Sequence, residues 1–394
     1  VQHAESDWDF INRLLEDAGV TYFFEQAGEF ERLVLCDHPA GFPSYHPDRL
    51  VSYHDGAATH LVDESISQLG LAATVGPRRS AQRDYNYRHS TLDVHGHADT
   101  GLAGGGVYDE YGAQVRSPEE ARRLAMIRSQ EFRVGHRQYR GTSTCRGLAA
   151  GQRVTVAGHF RADFNRELLI TTVRHELSAP REAAQEPNPA VPLEYSNTFE
   201  AREAELPYRA PRRTAMPRIE GVAHAVVDGA TDGPYAQIDE QGRYKVRLAI
   251  DRPERAGGKA SRFVRMAQPY AGADYGMHHP LHKKTEVLLA HIEGRPDRPL
   301  ILASVPNPAT GSPVAAPNAT QSIVRTAGAN VLELEDHAAR KRIQVATPQA
   351  ATAMTFGAPG LDGPAGANLK TDAHEQKSVD GNSVTTIGAN RTEA

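Results

Sequence analysis

Cysteine is scarce. Only Cys36 and Cys145 occur in 394 residues, far apart and without metal-ligating neighbours. That favours a reducing compartment, or at least a fold that does not rely on disulfides. No apolar run approaches the length of a membrane span, and no secretory signal peptide opens the chain. An excess of one charge is missing too: 44 Lys+Arg stand against 49 Asp+Glu, net −5. The basic residues are scattered, so nothing draws the whole chain to nucleic acid. There is no starting methionine, and the chain begins in what reads as the lead into a helix, as a fragment would.

What is abundant is punctuation. Gly 34 and Pro 25 fit many short strands joined by tight turns, and the length allows two to four domains. Ser6 with Asp9 reads as a helix cap, followed by an apolar stripe of Phe10, Ile11, Leu14, Leu15 and Ala18 that Gly19 stops. Strands are expected at 20–25 and 31–36 around a Gly28 turn. A second helix begins with Ser117 as cap, Pro118 at its first position and Glu120 completing a capping box, and runs to about Arg133. Further strands fall at 153–156, 168–176 and 195–201. Residues 179–192 read as an exposed loop, and Pro207 to Pro217 as a proline- and arginine-rich linker.

The stretch from Ile238 to Asn307 is the most regular. Tyr244, Val246 and Leu248 alternate with Arg243, Lys245 and Arg247 after a turn at Gly242. Glu286–Ile292 and Leu300–Val305 form a hairpin around Gly294-Arg295-Pro296-Asp297-Arg298-Pro299, and Phe263–Ala267 reads as another short strand. Four or five strands in so short a stretch predict a small barrel of the oligonucleotide/oligosaccharide-binding (OB) type, a scaffold that names no function. Beyond it, alternating segments lie near 330–335 and 342–346, and 350–368 reads as a mobile low-complexity stretch. The last residues carry a period of eight, matching Ser378, Val379 and Asn382 to Thr386, Ile387 and Asn390.

These features resemble the VgrG (valine-glycine repeat protein G) family of type VI secretion spikes, related to phage tail hub and needle proteins. The likeness rests on Glu5-Ser6-Asp7 through Gly19-Val20-Thr21-Tyr22-Phe23-Phe24-Glu25, on Gly105-Gly106-Val107-Tyr108-Asp109, and on Val173-Arg174-His175-Glu176 through Tyr208-Arg209-Ala210-Pro211. It continues in Asp239-Glu240-Gln241-Gly242-Arg243-Tyr244-Lys245-Val246, Val264 to Gly272, and Glu293 to Pro299. The chain departs from the family at Pro280-Leu281-His282-Lys283-Lys284, where relatives usually have Pro-Arg-Ile-Gly, and at Tyr270 and Tyr275, where they often carry tryptophan. The resemblance implies a mainly β fold: a hub β-barrel-like domain with a few helices, an OB-fold barrel, and the start of a trimeric β-helix needle. The expected divisions are a hub region at 1–206 with its amino-terminal part missing, a linker at 207–217, the barrel at 218–308, neck strands at 309–349 and the needle from 350 to 394. It also implies a non-catalytic homotrimer without cofactor. Its partners would be an inner tube ring protein (Hcp-like), baseplate components, and a tip protein (PAAR-like) with effectors on a missing carboxy-terminal part. Such a spike is assembled in the bacterial cytoplasm, then secreted or delivered into a target cell whose membrane it meets mechanically. The eight-residue period fits this picture, because a single chain cannot satisfy the edges of such a strand repeat and three chains can.

Residues with chemistry read as surface features. His95 and His97 share one strand face, and His278, His279 and His282 cluster, but both groups read as solvated histidines rather than a metal site. Leu102–Gly106 lacks the Lys-Ser/Thr of a phosphate loop, and no Gly-x-Ser-x-Gly elbow occurs. Asp239, Glu240 and Glu293 fall in hairpin turns rather than forming an acid/base pair. Phe263, Tyr270 and Tyr275, with Arg262, Arg265, Lys283 and Lys284, are the only candidates for a single-strand nucleic-acid groove; the aromatics are expected to pack between barrel and hub instead. The rival reading is a cell-wall-degrading (muramidase-like) hydrolase or a metal hydrolase.

Overall fold

The computed structural model describes residues 1–45, 50–55, 64–178, 194–251, 253–358 and 365–389. The expected loop at 179–192 lies outside them. The chain divides into two compact units, Val1–Glu220 with Ile292–Arg298, and Gly221–His291 with Pro299–Ala394. The fold is mainly β, with two α-helices among the described residues.

In the first unit, α1 (Asp7–Ala18) is capped as its sequence requires. Ser6 Oγ accepts the Asp9 N–H at 3.1 Å, and Gly19 closes the helix at φ +72°. Its apolar stripe, however, is not buried. Ile11 and Leu14 are exposed, and the helix's one buried residue is Arg13, whose guanidinium grips Glu5 with two 2.7 Å bonds. β1 (Thr21–Ala27) and β2 (Phe30–Cys36) form the expected hairpin. A six-stranded sheet takes β3 (Val51–Ser52), β4 (Ile66–Ala73), β8 (Arg137–Ser143), β9 (Arg153–Ala157), β10 (Glu167–Ser178) and β11 (Glu194–Glu203), in the order β3-β9-β10-β11-β8-β4. Ile66, Tyr139, Leu168, Ile170 and Phe199 form its core.

A smaller sheet of β5 (Arg79–Asp84), β6 (Val94–Asp99) and β7 (Val107–Tyr111) carries α2 (Pro118–His136). Ser117 accepts the Glu120 N–H at 3.2 Å, while the Glu120 carboxylate reaches the N–H of Arg116, one residue before the cap. The helix lies so close to β6 that a Cβ on Gly96 would sit 2.3 Å from the Arg122 nitrogen. Arg128 enters this packing almost fully buried, bonded to Asp17 and within 4 Å of Glu110 and Glu131.

The second unit opens with β12 (Val222–Asp228), a strand that the sequence reading missed. With β13 (Lys245–Leu248), β16 (Glu286–His291) and β17 (Pro299–Ser304) it makes a sheet ordered β13-β12-β16-β17. Ala225, Val227, Tyr244, Val246, Val264, Val287, Leu289 and Ile301 fill the barrel. Gly242 takes φ +70° in the turn before β13, where Asp239 accepts the N–H groups of Gln241 and Arg243. Phe263–Ala267 is not a continuous strand. Val264 exchanges both backbone bonds with Tyr244, then Arg265 and Ala267 bond Ile301, so the segment changes partner midway and closes the barrel at a corner. β14 (Ala271–Gly272) and β15 (Tyr275–Gly276) form a short ribbon.

The rest of this unit is a five-stranded antiparallel meander: β18 (Gln321–Arg325), β19 (Val331–Glu335), β20 (Arg342–Thr347), β21 (Thr352–Gly357) and β22 (Gly366–Lys370). The expected segments near 330–335 and 342–346 are β19 and β20. The stretch at 350–368, read as mobile, is instead built into the meander by β21 and β22; only 359–364 lie outside the described residues. Alanine and glycine at its ends hid the alternation of Met354 and Phe356. Past Lys370 the described residues, including Ser378, Val379, Asn382, Thr386 and Ile387, form no strand; Asn390 is not described.

Candidate functional site

The meander is amphipathic in an inverted sense. Its register places Val324 opposite Leu332, Leu332 opposite Val345, Leu334 opposite Ile343, Ile343 opposite Phe356, Val345 opposite Met354, and Met354 opposite Leu369. Side chains alternate along a strand, so these residues share one face. All are between 41% and 51% exposed. Contiguous exposed apolar surface of this extent marks an interaction site.

The opposite face is polar and buried. Glu333, Glu335, Gln344 and Thr355 are all under 9% exposed. Glu335 accepts from Thr320 Oγ1 at 2.5 Å, from the His337 N–H at 2.9 Å and from Gln321 at 3.3 Å, and pairs with Arg340. The Thr320 hydroxyl and that backbone N–H hold its carboxyl down to about 2. Glu333 is bonded to Arg342 at 2.6 Å. The two glutamates of the polar face thus find their partners within the chain, while the apolar residues have no such recourse within the strand register.

The residues singled out for chemistry do not converge. His95 and His97 share the exposed face of β6, and His95 lies 2.9 Å from Asp93. His278 bonds the buried Tyr244 hydroxyl at 2.7 Å, the His282 ring stands edge-on to Tyr235, and His279 is exposed. No group of three His, Cys, Asp or Glu residues among the described ones could hold a metal ion. Asp239 is engaged with Arg243 in its turn, and its carboxyl is lowered by hydrogen bonds from Arg243 against the opposing effect of burial. Cys36 and Cys145 are buried. Tyr270 and Tyr275 stay out of the barrel core. They are 60% and 58% exposed and lean on one another across the β14–β15 ribbon, with ring centroids 5.2 Å apart. Phe263 is half-buried under Lys245.

Comparison with known proteins gives the fold its place. Residues 1–180 match the family model described as phage tail baseplate hub, and residues 235–305 match the type VI secretion system/phage-baseplate injector OB domain. The type VI secretion spike protein VgrG1a of Pseudomonas aeruginosa is 27% identical over 88% of this chain and 55% of its own length. The chain is thus similar to the VgrG spike proteins along most of its own length. VgrG1c of the same organism is 28% identical over 82% of this chain and 44% of its length. The chain therefore spans about half the length of these VgrG relatives. A solved Francisella PdpA–VgrG complex shares the fold, with a TM-score of 0.55, 10% identity, and coverage of 93% of this chain and 62% of that one. No described helix is long and apolar enough to cross a membrane. Sequence reasoning found β19 and β20 of the apolar face but missed Val324, Met354, Phe356 and Leu369; the recoverable signal was the Met354/Phe356 alternation.

Proposed function

We propose that this chain is the hub, barrel and neck of a homotrimeric, non-catalytic spike in a contractile type VI injection machine. The observation that carries the reading is the apolar face of the β18–β22 meander. A soluble chain that buries glutamates on one side of a sheet and leaves leucine, isoleucine, valine and phenylalanine on the other needs further copies to cover them. Three copies around one axis bring three such faces together, and closed cyclic symmetry leaves none exposed. Hydrogen bonds running continuously along the sheet would resist bending under load.

In this reading residues 1–206 form the hub and sit on an inner tube ring protein (Hcp-like) among baseplate components. Residues 207–217 link to the barrel at 218–308, and the neck continues through the meander toward a needle. A tip protein (PAAR-like) and effectors would dock beyond Ala394. Assembly takes place in the bacterial cytoplasm, with delivery outside the cell or into a target cell whose membrane is breached mechanically. Similarity to the VgrG spike proteins supports the reading. Light scattering tests it: a mass near three times 42.9 kDa is expected. A single-chain mass together with clearing of a peptidoglycan suspension would replace it with the hydrolase reading.

A further inference from the structure

The first unit carries a second uncovered apolar face, built independently of the meander. In the β1–β2 hairpin, Phe23 and Cys36 turn inward to Phe42, Leu169 and Ala204. The alternate residues Tyr22, Phe24, Leu33 and Leu35 turn outward, with Tyr22 opposite Leu35 and Phe24 opposite Leu33. Phe24, Leu33 and Leu35 are 48%, 51% and 56% exposed. α1 extends the surface: Trp8 stands edge-on to Tyr22 at 5.5 Å, and Ile11 and Leu14 lie exposed on the same helix. The charges exposed around it are acidic: Asp7, Asp9, Glu29 and Glu31. Arg32 alternates to the other face and is held by Glu25.

Four carboxylates around an apolar centre disfavour pairing of this face with itself, because like charges would meet at the rim. Its complement should be an apolar anchor among arginines, and the same unit has one. Phe160 is 80% exposed on the loop between β9 and β10. The loop is rigid: Asn165 accepts the His159 N–H at 2.8 Å and donates to the His159 carbonyl at 2.9 Å. The His159 ring is stacked between Phe160 and Phe164 at 4.3 and 4.4 Å, which fixes the Phe160 ring from below. Arg161, Arg137 and Arg166 surround the loop against two carboxylates, Asp163 and Glu203. A fixed, exposed aromatic beside an arginine has the composition of an interface hot spot.

We propose that the Phe160 loop of one copy seats on the acid-rimmed face of α1 and β1–β2 in the next. Such a contact is heterologous, and a heterologous contact repeated through a third of a turn closes into the ring that a cyclic trimer requires. The inference rests on the trimer reading but not on the meander, and it gives the hub its own cohesion.

Disulfide trapping tests it in the full chain, whose native cysteines are buried. Phe160→Cys and Leu33→Cys variants are made separately, mixed, allowed to re-equilibrate and mildly oxidised. Cysteines held across one interface meet at effective concentrations of about millimolar rather than those of the bulk. Linked dimer should therefore rise roughly tenfold in the mixture over either variant alone. Self-linking of Leu33→Cys would overturn the proposal by showing a face-to-face contact. So would absence of mixed linkage in a sample whose scattering mass is that of three chains, which leaves the trimer reading standing. A single-chain mass for the unmodified protein would remove both.

Discussion

Val345→Asp separates the two roles of the meander most sharply. Val345 lies at the centre of the apolar face, on the middle strand, with Leu332 and Met354 as its cross-strand neighbours. It is 51% exposed in the single chain. Full burial of a valine is worth about 1.5–3 kcal/mol, and about half is already realised within the chain, so the assembly gains about 1 kcal/mol per copy. An aspartate there loses this and puts an unpaired carboxylate into an apolar seam, which costs several kcal/mol per ion. With three copies meeting, the total is on the order of 10 kcal/mol, or about seven decades in the association constant. The isolated chain, by contrast, should lose about 1 kcal/mol or less, because the new charge remains solvated.

The assay is light scattering across a dilution series, with circular dichroism on the same samples. Native chain should scatter as three copies, and Val345→Asp as one copy with an unchanged far-ultraviolet spectrum. Val345→Thr should weaken association by at least about a hundredfold, since each of three copies loses the burial of one methyl and must also desolvate a hydroxyl. Arg325→Ala, exposed on the polar side of β18, serves as the control and should leave the mass unchanged. A Val345→Asp chain that still scatters as three copies at micromolar concentration would refute the covered-face argument.

Three further outcomes follow from the packing. The folded-state carboxyl of Glu335 is depressed to about 2 from 4.5, so its contribution to stability is complete above about 4.5 and is lost as pH falls toward 2; melting temperature plotted against pH should show this acid limb, and Glu335→Gln should flatten it. Arg128→Leu leaves the carboxylates of Glu110 and Asp17 without that partner, and should lower the stability of the first unit by about 3 kcal/mol, read as a fall in melting temperature of about 6–12 °C. Gly96→Ala forces β6 away from the α2 backbone and should cost more than about 2 kcal/mol in denaturant unfolding, whereas Gly135→Ala, with open space around it, should be tolerated.

Local chemistry was readable wherever a residue acts on its own neighbours. Ser6, Gly19, Ser117 and Gly242 each dictate the backbone beside them, and each does in the structure what its type requires. The barrel core followed from the alternation of Tyr244, Val246, Val287 and Leu289. β12 escaped because Val222-Ala223-His224-Ala225-Val226-Val227 carries valine on its outer face as well as alanine and valine on its inner one, so the alternation is faint although Ala225 and Val227 alone are buried. The corner at Val264–Ala267 escaped because a change of pairing partner has no local signature. The mutual contact of Tyr270 and Tyr275 across the β14–β15 ribbon had no signature in the sequence, because it depends on the turn that brings the two rings together.

The apolar faces show where that limit becomes informative. In β19 leucines alternate with glutamates, and a period of two says only that the two sets lie on opposite sides. Taken as a lone domain, the sequence predicts leucine inward, yet the chain turns Glu333 and Glu335 inward and leaves Leu332 and Leu334 at 41% exposure. The glutamates can be inward because Thr320, His337, Arg340 and Arg342 satisfy them within the chain. Nothing within the meander does the same for the leucines. The same asymmetry recurs in the β1–β2 hairpin, where Phe23 finds a core and Phe24 does not. Two separate elements in different units thus leave apolar residues uncovered within one copy, which the proposed assembly of three copies would cover.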